Sequence, residues 1–266
     1  MVGSFLNVVV HRLPRMLQQQ WHTQCAELLG HTPPEQTTYH LAWPGSQCPH
    51  CKHPLTVLEN IPLVSFALQR GRCRACGAAI SWRYPLLEGI AGLCAVVVVL
   101  HFGMTPQAGA ALCLTWALLA ASAIDLEHQL LPDGITLPLV WIGLFLSFFG
   151  VFVDLPHAVI GAMVGYLSLW SVYWAFRLLT GKEGMGYGDF KLLAALGAWM
   201  GWQALPMVVF LSSLVGAVVG LSLILVRGRA RSQPMPFGPF LAAAGWIALL
   251  WEQDLFQGYL RWIHAL

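Results

Sequence analysis

The stretch LPMVVFLSSLVGAVVGLSLILV (residues 205–226) decides what kind of protein this is. It carries no ionisable side chain, and at about 1.5 Å of helix rise per residue it can cross roughly 30 Å of hydrocarbon. Working outward, further apolar runs occupy 86–102, 108–124, 135–153, 156–179 and 236–251. The chain is 57% hydrophobic and only 10% charged, with 12 tryptophans, which is more apolar material than a soluble core of this size needs. An all-α polytopic membrane protein is the fold these features predict, with the lipid bilayer as its partner. The polar sequence that follows Met1–Val10 at once excludes a cleavable signal pattern. A net charge of +2 gives no reason to expect nucleic acid.

The placement of the charge is more informative than its sum. Seven of the 14 Lys and Arg residues lie between Arg12 and Arg83. Arg177, Lys182 and Lys191 form a second group, and Arg227, Arg229 and Arg231 a third. The connections 103–107 and 154–157 have none. Basic and non-basic loops therefore alternate, and the positive-inside rule places 11–85, 125–134, 177–191 and 227–235 in the cytoplasm. Three regions follow: 1–10, too short to cross and read as the stub of a membrane segment; 11–85, a polar cytoplasmic domain; and 86–266, the membrane domain. Within the polar block, 17–47 reads as loop plus a short helix.

That block contains CPHC at 48–51 and CRAC at 73–76. Two Cys-x-x-Cys knuckles can present four thiolates to one tetrahedral ion, so Cys48, Cys51, Cys73 and Cys76 are candidate ligands for structural zinc. Cytoplasmic thiols stay reduced, which favours metal over disulfide, although a thiol-exchange site has the same residue types. A block this poor in apolar residues would draw its folding energy from the ion. His50 and His53 are spare ligands, while Cys25, Cys94 and Cys113 are expected as small buried apolar residues.

Ionisable residues are rare in the membrane part, so the stretch GKEGMGYGDFKLL (181–193) stands out. It sets Asp189 beside Gly184, Gly186 and Gly188. Asp125 ends the run 108–124 and emerges on the same side. Singly, each is equally well read as a helix cap or a solvated loop residue. Together they make a chemical pair. Two carboxylates a few ångströms apart do not both ionise readily, so one can act as base toward water while the other polarises a carbonyl. Gly186 and Gly188 would admit a peptide backbone beside Asp189. Asp133 is expected to cap the helix starting near Ile135, and Lys191 to serve the positive interface.

With these residues assembled, the chain resembles the type IV prepilin leader peptidases. The likeness runs through GSFLNVVVHRLP, the CPHC and CRAC pairs, ENIPLVSFALQRGRC, YPLLE, IDLEHQLLPD, GMGYGDFKLLAALGAW and PFGPFLAAAGW, with the GxGD signature at 186–189. It implies an aspartic endopeptidase of the bacterial inner membrane with its active site facing the cytoplasm. By it, Asp125 and Asp189 are the catalytic pair, and the four cysteines bind zinc. The substrates it implies are prepilins and type II secretion pseudopilins, cut after a glycine. A second activity, N-methylation of the new terminal residue with S-adenosylmethionine as donor, is also implied, with the region around Glu59 the place to look. Members ordinarily begin with a full transmembrane helix ahead of GSFLN, where this chain has Met-Val, so an incomplete or unusual start is expected. Competing readings are a membrane thiol oxidoreductase using the Cys pairs, a proton-coupled transporter, and a presenilin-type protease, which shares the GxGD chemistry.

Overall fold

The structure is a computed structural model describing residues 2–31, 40–43, 45–48, 50–56, 59, 61–227 and 235–264, with the main chain alone for 62, 64, 227 and 252–264. The basic residues Arg229 and Arg231 and part of the 17–47 segment lie outside the described residues. Among the described residues there are nine helices: α1 (Val2–Leu28), α2 (Pro62–Leu68), α3 (Arg83–Phe102), α4 (Pro106–His128), α5 (Asp133–Ser147), α6 (Leu155–Thr180), α7 (Tyr187–Met200), α8 (Leu205–Arg227) and α9 (Gly238–His264). The described β-structure consists of two isolated antiparallel bridges. Packing divides the chain into two compact units, Met1–Val97 and Val98–Leu266.

In the first unit, α1 is much longer than a stub. It continues through Pro14 to Leu28, so the segment expected as loop plus a short helix is helical over its first part, 17–28. Asn7 explains part of its placement: its Nδ2 donates to the carbonyls of Gly3 and Tyr84, tying α1 to the start of α3. A side chain at Gly3 would put its Cβ 2.8 Å from the Cα of Glu88, so the two helices touch backbone to backbone there. Arg12 is buried and donates to the carbonyls of His40, Leu41 and Gly45, fastening that segment to α1. Buried guanidinium is tolerated because its donors meet main-chain oxygens. The Phe66 ring meets that of Trp82 at a tilt of 54°, centroids 4.4 Å apart, closing α2 onto the chain that leads into α3.

In the second unit, α7 is the centre. From Asp189 to Met200 almost every side chain is buried, against α6 and α5 first and then α9. Such burial is possible because the neighbouring helices present glycines. A Cβ on Gly161 of α6 would lie 2.2 Å from the Gly197 carbonyl oxygen, and one on Gly165 would lie 2.6 Å from that of Leu193. In a bilayer, where apolar burial gives helices little reason to associate, small residues that allow close backbone packing supply the attraction. The Trp199 ring lies against Gly143 of α5, and its Nε1 donates to the Leu139 carbonyl at 2.8 Å. On the other side Trp246 of α9 donates to Thr115 of α4 at 3.0 Å.

Four helices, α3, α4, α6 and α8, are long and apolar enough to span a membrane. Only 17% of the most apolar part of α8 is buried, and Phe210, Leu214, Val218 and Leu221 stand on its outer face, as lipid contact requires. Two expected spans differ. The 135–153 run is helical only to Ser147, because Gly150 adopts a positive φ of 60° and turns the chain. The last helix runs past 251 to His264 across a break at Trp251. Two cysteines expected inside are outside as well: Cys25 is exposed on α1, and Cys113 faces outward from α4, where lipid gives a thiol the apolar surroundings a core would.

The α6–α7 contact generates a direct test. Gly161→Val places a branched side chain against main chain that has nowhere to move, and overpacking of this kind costs about 1–3 kcal/mol. The expected outcome is a fall of several degrees in the apparent Tm of the detergent-purified protein. Gly92→Ala, at an α3 position with open space beside it, is expected to be neutral or slightly stabilising.

Candidate active site and metal centre

Asp125 and Asp189 arrive from opposite directions along the helices. Asp125 sits in the last turn of α4, whose chain then reverses at Gln129 in the left-handed conformation, φ 52°, with the Gln129 N–H bonded to the Asp125 carbonyl. Asp189 lies in the first turn of α7, which opens at Gly186. Both are buried, 5% and 7% exposed, and Leu131 packs beside each of them, against Gly188 next to Asp189 and against Gly238, which meets Asp125 Oδ2. The pair joined by residue types in the sequence is thus joined in space.

The two carboxyl groups are held differently. Oδ2 of Asp125 accepts from the N–H of Gly238 at 3.0 Å. Gly238 is the first residue of α9, so that donor is one of the N–H groups a helix leaves without an internal partner, at the end where its dipole favours negative charge. Oδ1 of Asp189 is buried and has no hydrogen-bond partner among the described residues. A buried acceptor left open in a protein interior is uncommon and needs a reason; one that meets substrate or water during a reaction has it.

The glycines divide the work. A Cβ on Gly186 would approach nothing nearer than Oδ2 of Asp189, at 4.0 Å, so the main chain there is open beside the acid. Gly188 faces Leu131, whose Cβ would lie 2.6 Å from an added methyl, and Gly184 packs on the Phe176 ring. Leu131 also crowds Gly238, where a Cβ would come within 2.7 Å of Asp125 Oδ2. Leu131 therefore wedges between the starts of α7 and α9, and both positions must lack a side chain. Gly238 and Leu131 were not singled out in the sequence as site residues. The available signal was a glycine set between Phe237 and Pro239 in PFGP, at the head of an apolar run.

Asp133 does not cap its helix. The N-cap position is Pro132, and the Asp133 carboxylate instead accepts from Lys191 Nζ at 2.6 and 2.8 Å. Lys191 is therefore engaged by α5 rather than given over to the interface. It stands two positions beyond Asp189, on another face of the helix, so the pair locks the register of α7 without touching the acid.

In the first unit the four cysteines meet. Their sulfurs all lie within 4.8 Å of one another, with Cys48 to Cys76 at 3.9 Å and Cys51 to Cys73 at 4.0 Å. Tetrahedral zinc with bonds of about 2.3 Å needs sulfur–sulfur edges of about 3.8 Å, so the donor set and its spacing fit that ion. Each half is the same device. Gln47 bridges Pro54 and Arg72 bridges Ala79. The N–H of Cys48 bonds the His53 carbonyl, and that of Cys73 the Ala78 carbonyl. Lys52 and Gly77 occupy matching places with φ of 59° and 72°. The main-chain N–H of Cys51, above all, lowers the Cys48 thiol to about 7, and that of Cys76 lowers Cys73. Although the N–H of Ala78 opposes it, burial and the adjoining thiols push Cys76 up to about 11. Crowded thiolates of this kind are what a divalent cation neutralises.

Comparison with known proteins finds relatives along almost the whole chain. A family described as "Type IV leader peptidase family" matches residues 112–221, and "Bacterial Peptidase A24 N-terminal domain" matches residues 1–102. Proteins named prepilin leader peptidase/N-methyltransferase are similar along almost the whole chain. The one from Pseudomonas aeruginosa is 56% identical over 98% of this chain and 90% of its own length. That from Aeromonas salmonicida is 58% identical over 99% and 91%, and that from Stutzerimonas stutzeri 55% over 98% and 91%. No solved structure matches. Identity at this level, spanning the carboxylate pair and the cysteine knuckles alike, establishes that the chain belongs to the type IV leader peptidase family.

Proposed function

We propose that this protein is a membrane aspartic endopeptidase that removes the leader of type IV prepilins and type II secretion pseudopilins, and that it N-methylates the residue so exposed. The observation that carries the hydrolytic half is the buried pair Asp125 and Asp189 with an oxygen of Asp189 left open. The second half is supported by the relatives, whose names join a peptidase to an N-methyltransferase.

Hydrolysis needs both acids at once. One ionised carboxylate takes a proton from water as the water oxygen attacks the scissile carbonyl carbon. The neutral carboxyl donates its proton to the carbonyl oxygen as the π bond opens. Collapse of the tetrahedral adduct reforms the carbonyl and breaks the carbon–nitrogen bond, and the departing amine takes up a proton. No covalent enzyme adduct forms. The Gly238 N–H holds Asp125 in place through this exchange. Gly186, open beside Asp189, is where a peptide backbone comes alongside. Gly188 assists by admitting Leu131.

Cys48, Cys51, Cys73 and Cys76 would hold zinc, which supplies folding energy to a unit with few buried apolar residues. S-adenosylmethionine, when bound, supplies the methyl group. The alternation of basic loops supports placing the protein in the bacterial inner membrane with the acid pair toward the cytoplasm. The interleaving of sulfurs from both knuckles around one point favours metal over a thiol-exchange role.

Three outcomes are expected. Asp125→Asn and Asp189→Asn should each lower the rate of prepilin cleavage by at least about 100-fold while leaving inserted, folded protein; intact-mass analysis of pilin incubated with purified enzyme checks this, and normal cleavage by either variant refutes the pair. Gly238→Ala should force the Asp125 carboxylate off its donor and slow cleavage by about tenfold, measured as kcat on the same substrate. Metal analysis should find close to one zinc per chain in the wild type. Chelation or Cys73→Ser should lower that content and make residues up to about 97 sensitive to limited proteolysis.

A further inference from the structure

Besides the cysteine cluster, the first unit holds an open cleft of about 400 Å³. Sites for small organic ligands run from roughly 300 to 1,000 Å³. Its wall is built by α1, by both knuckles and by Tyr84 at the head of α3. Peptide hydrolysis gives it no task, since both acids belong to the other unit.

The chemistry of the wall is specific. Arg15 and Lys52 line it and are exposed, and their side chains have no hydrogen bond or ion pair among the described residues. Glu59 is the one carboxylate of the lining. Its Oε2 accepts from the Thr56 N–H and hydroxyl at 3.0 and 2.9 Å and lies 3.8 Å from His53, which leaves Oε1 without a donor among the described residues. Asn7 has spent its amide hydrogens on two carbonyls, and its Oδ1 is buried in the wall with no partner. Arg12, locked to three carbonyls, makes this a built wall and not a loose surface. The set asks for one molecule carrying a carboxylate, hydroxyl donors and an amino donor on a flat polar ring. An amino-acid nucleoside has all three.

We propose that this cleft is the binding site for S-adenosylmethionine, with Arg15 and Lys52 facing its carboxylate, Glu59 its ribose hydroxyls and Asn7 its adenine amino group. The inference rests on the methyl-transfer reading above and gives that activity a place in the chain.

Equilibrium dialysis of tritiated S-adenosylmethionine against the detergent-purified full chain tests it. The wild type is expected to bind one molecule per chain, and Arg15→Ala and Glu59→Ala each to weaken the Kd by about tenfold, the loss of one charged hydrogen bond. Zinc content and elution volume serve as the folding check. Arg70→Ala, an exposed cation outside the cleft, is expected to bind as the wild type does. Ultraviolet crosslinking of the wild type, which needs no variant to fold, should place the label in peptides spanning residues 4–15 or 46–59. Wild-type affinity in both cleft variants, or a label mapping elsewhere, overturns the placement. If such variants also methylate cleaved pilin normally, the placement falls and the methyl-transfer reading stands. If the wild type neither binds the donor nor transfers a methyl group, both fall together.

Discussion

The close approach of α6 to α7 at Gly161 and Gly197 is the constraint on which the membrane unit depends. A helix of 14 residues reaches only about 21 Å, short of a bilayer core. It stays in place because it is enclosed, and it can be enclosed because its neighbours give up side chains where they meet it. From that enclosure follows the position of Asp189 in its first turn, held in register by the Lys191–Asp133 pair on one side and by Leu131 against Gly188 on the other. A carboxyl group at membrane depth is costly. Fixing it on a rigid, fully packed element is how that cost is carried without losing position.

Much of this was legible in the residues. The apolar runs gave the spans of α3, α4, α6 and α8 to within a few residues, since a stretch of twenty apolar side chains has few structural options. Asp125 and Asp189 were legible as exceptions in apolar surroundings, and the cysteine spacing gave the knuckles. What escaped notice depends on partners far apart in the chain. The Gly238 donor to Asp125 spans 113 residues, and nothing local to PFGP announces an acid across the bundle. Asp133 sat where a cap belongs, yet Lys191, 58 residues on, offered its carboxylate a full charge. The length of α1 was hidden for another reason. Its far half is polar, and a helix that does not bury one face has no periodic pattern to read.

The two units draw their order from different sources. Around the acids, order comes from apolar helices meshing on glycine. Around the cysteines, among few buried apolar residues, it comes from turns, from Arg12 bridging three carbonyls, and from the sulfur cluster. The knuckles repeat at an interval of 25 residues, down to the left-handed residue after the second cysteine, which is glycine in one and lysine in the other. Lys52 accepts the conformation glycine adopts freely, which shows how strongly that turn is dictated by the cysteines before it.

Because each knuckle contributes half of one coordination shell, neither is a finished object. As the chain is made, Cys48 and Cys51 are exposed first, and the second half follows 25 residues later, about one to five seconds at ordinary rates of synthesis. During that interval two thiols stand open at the ribosome with no means of closing a shell. The order in which the chain is synthesised thus sets a brief period of vulnerability that ends only when Cys76 arrives.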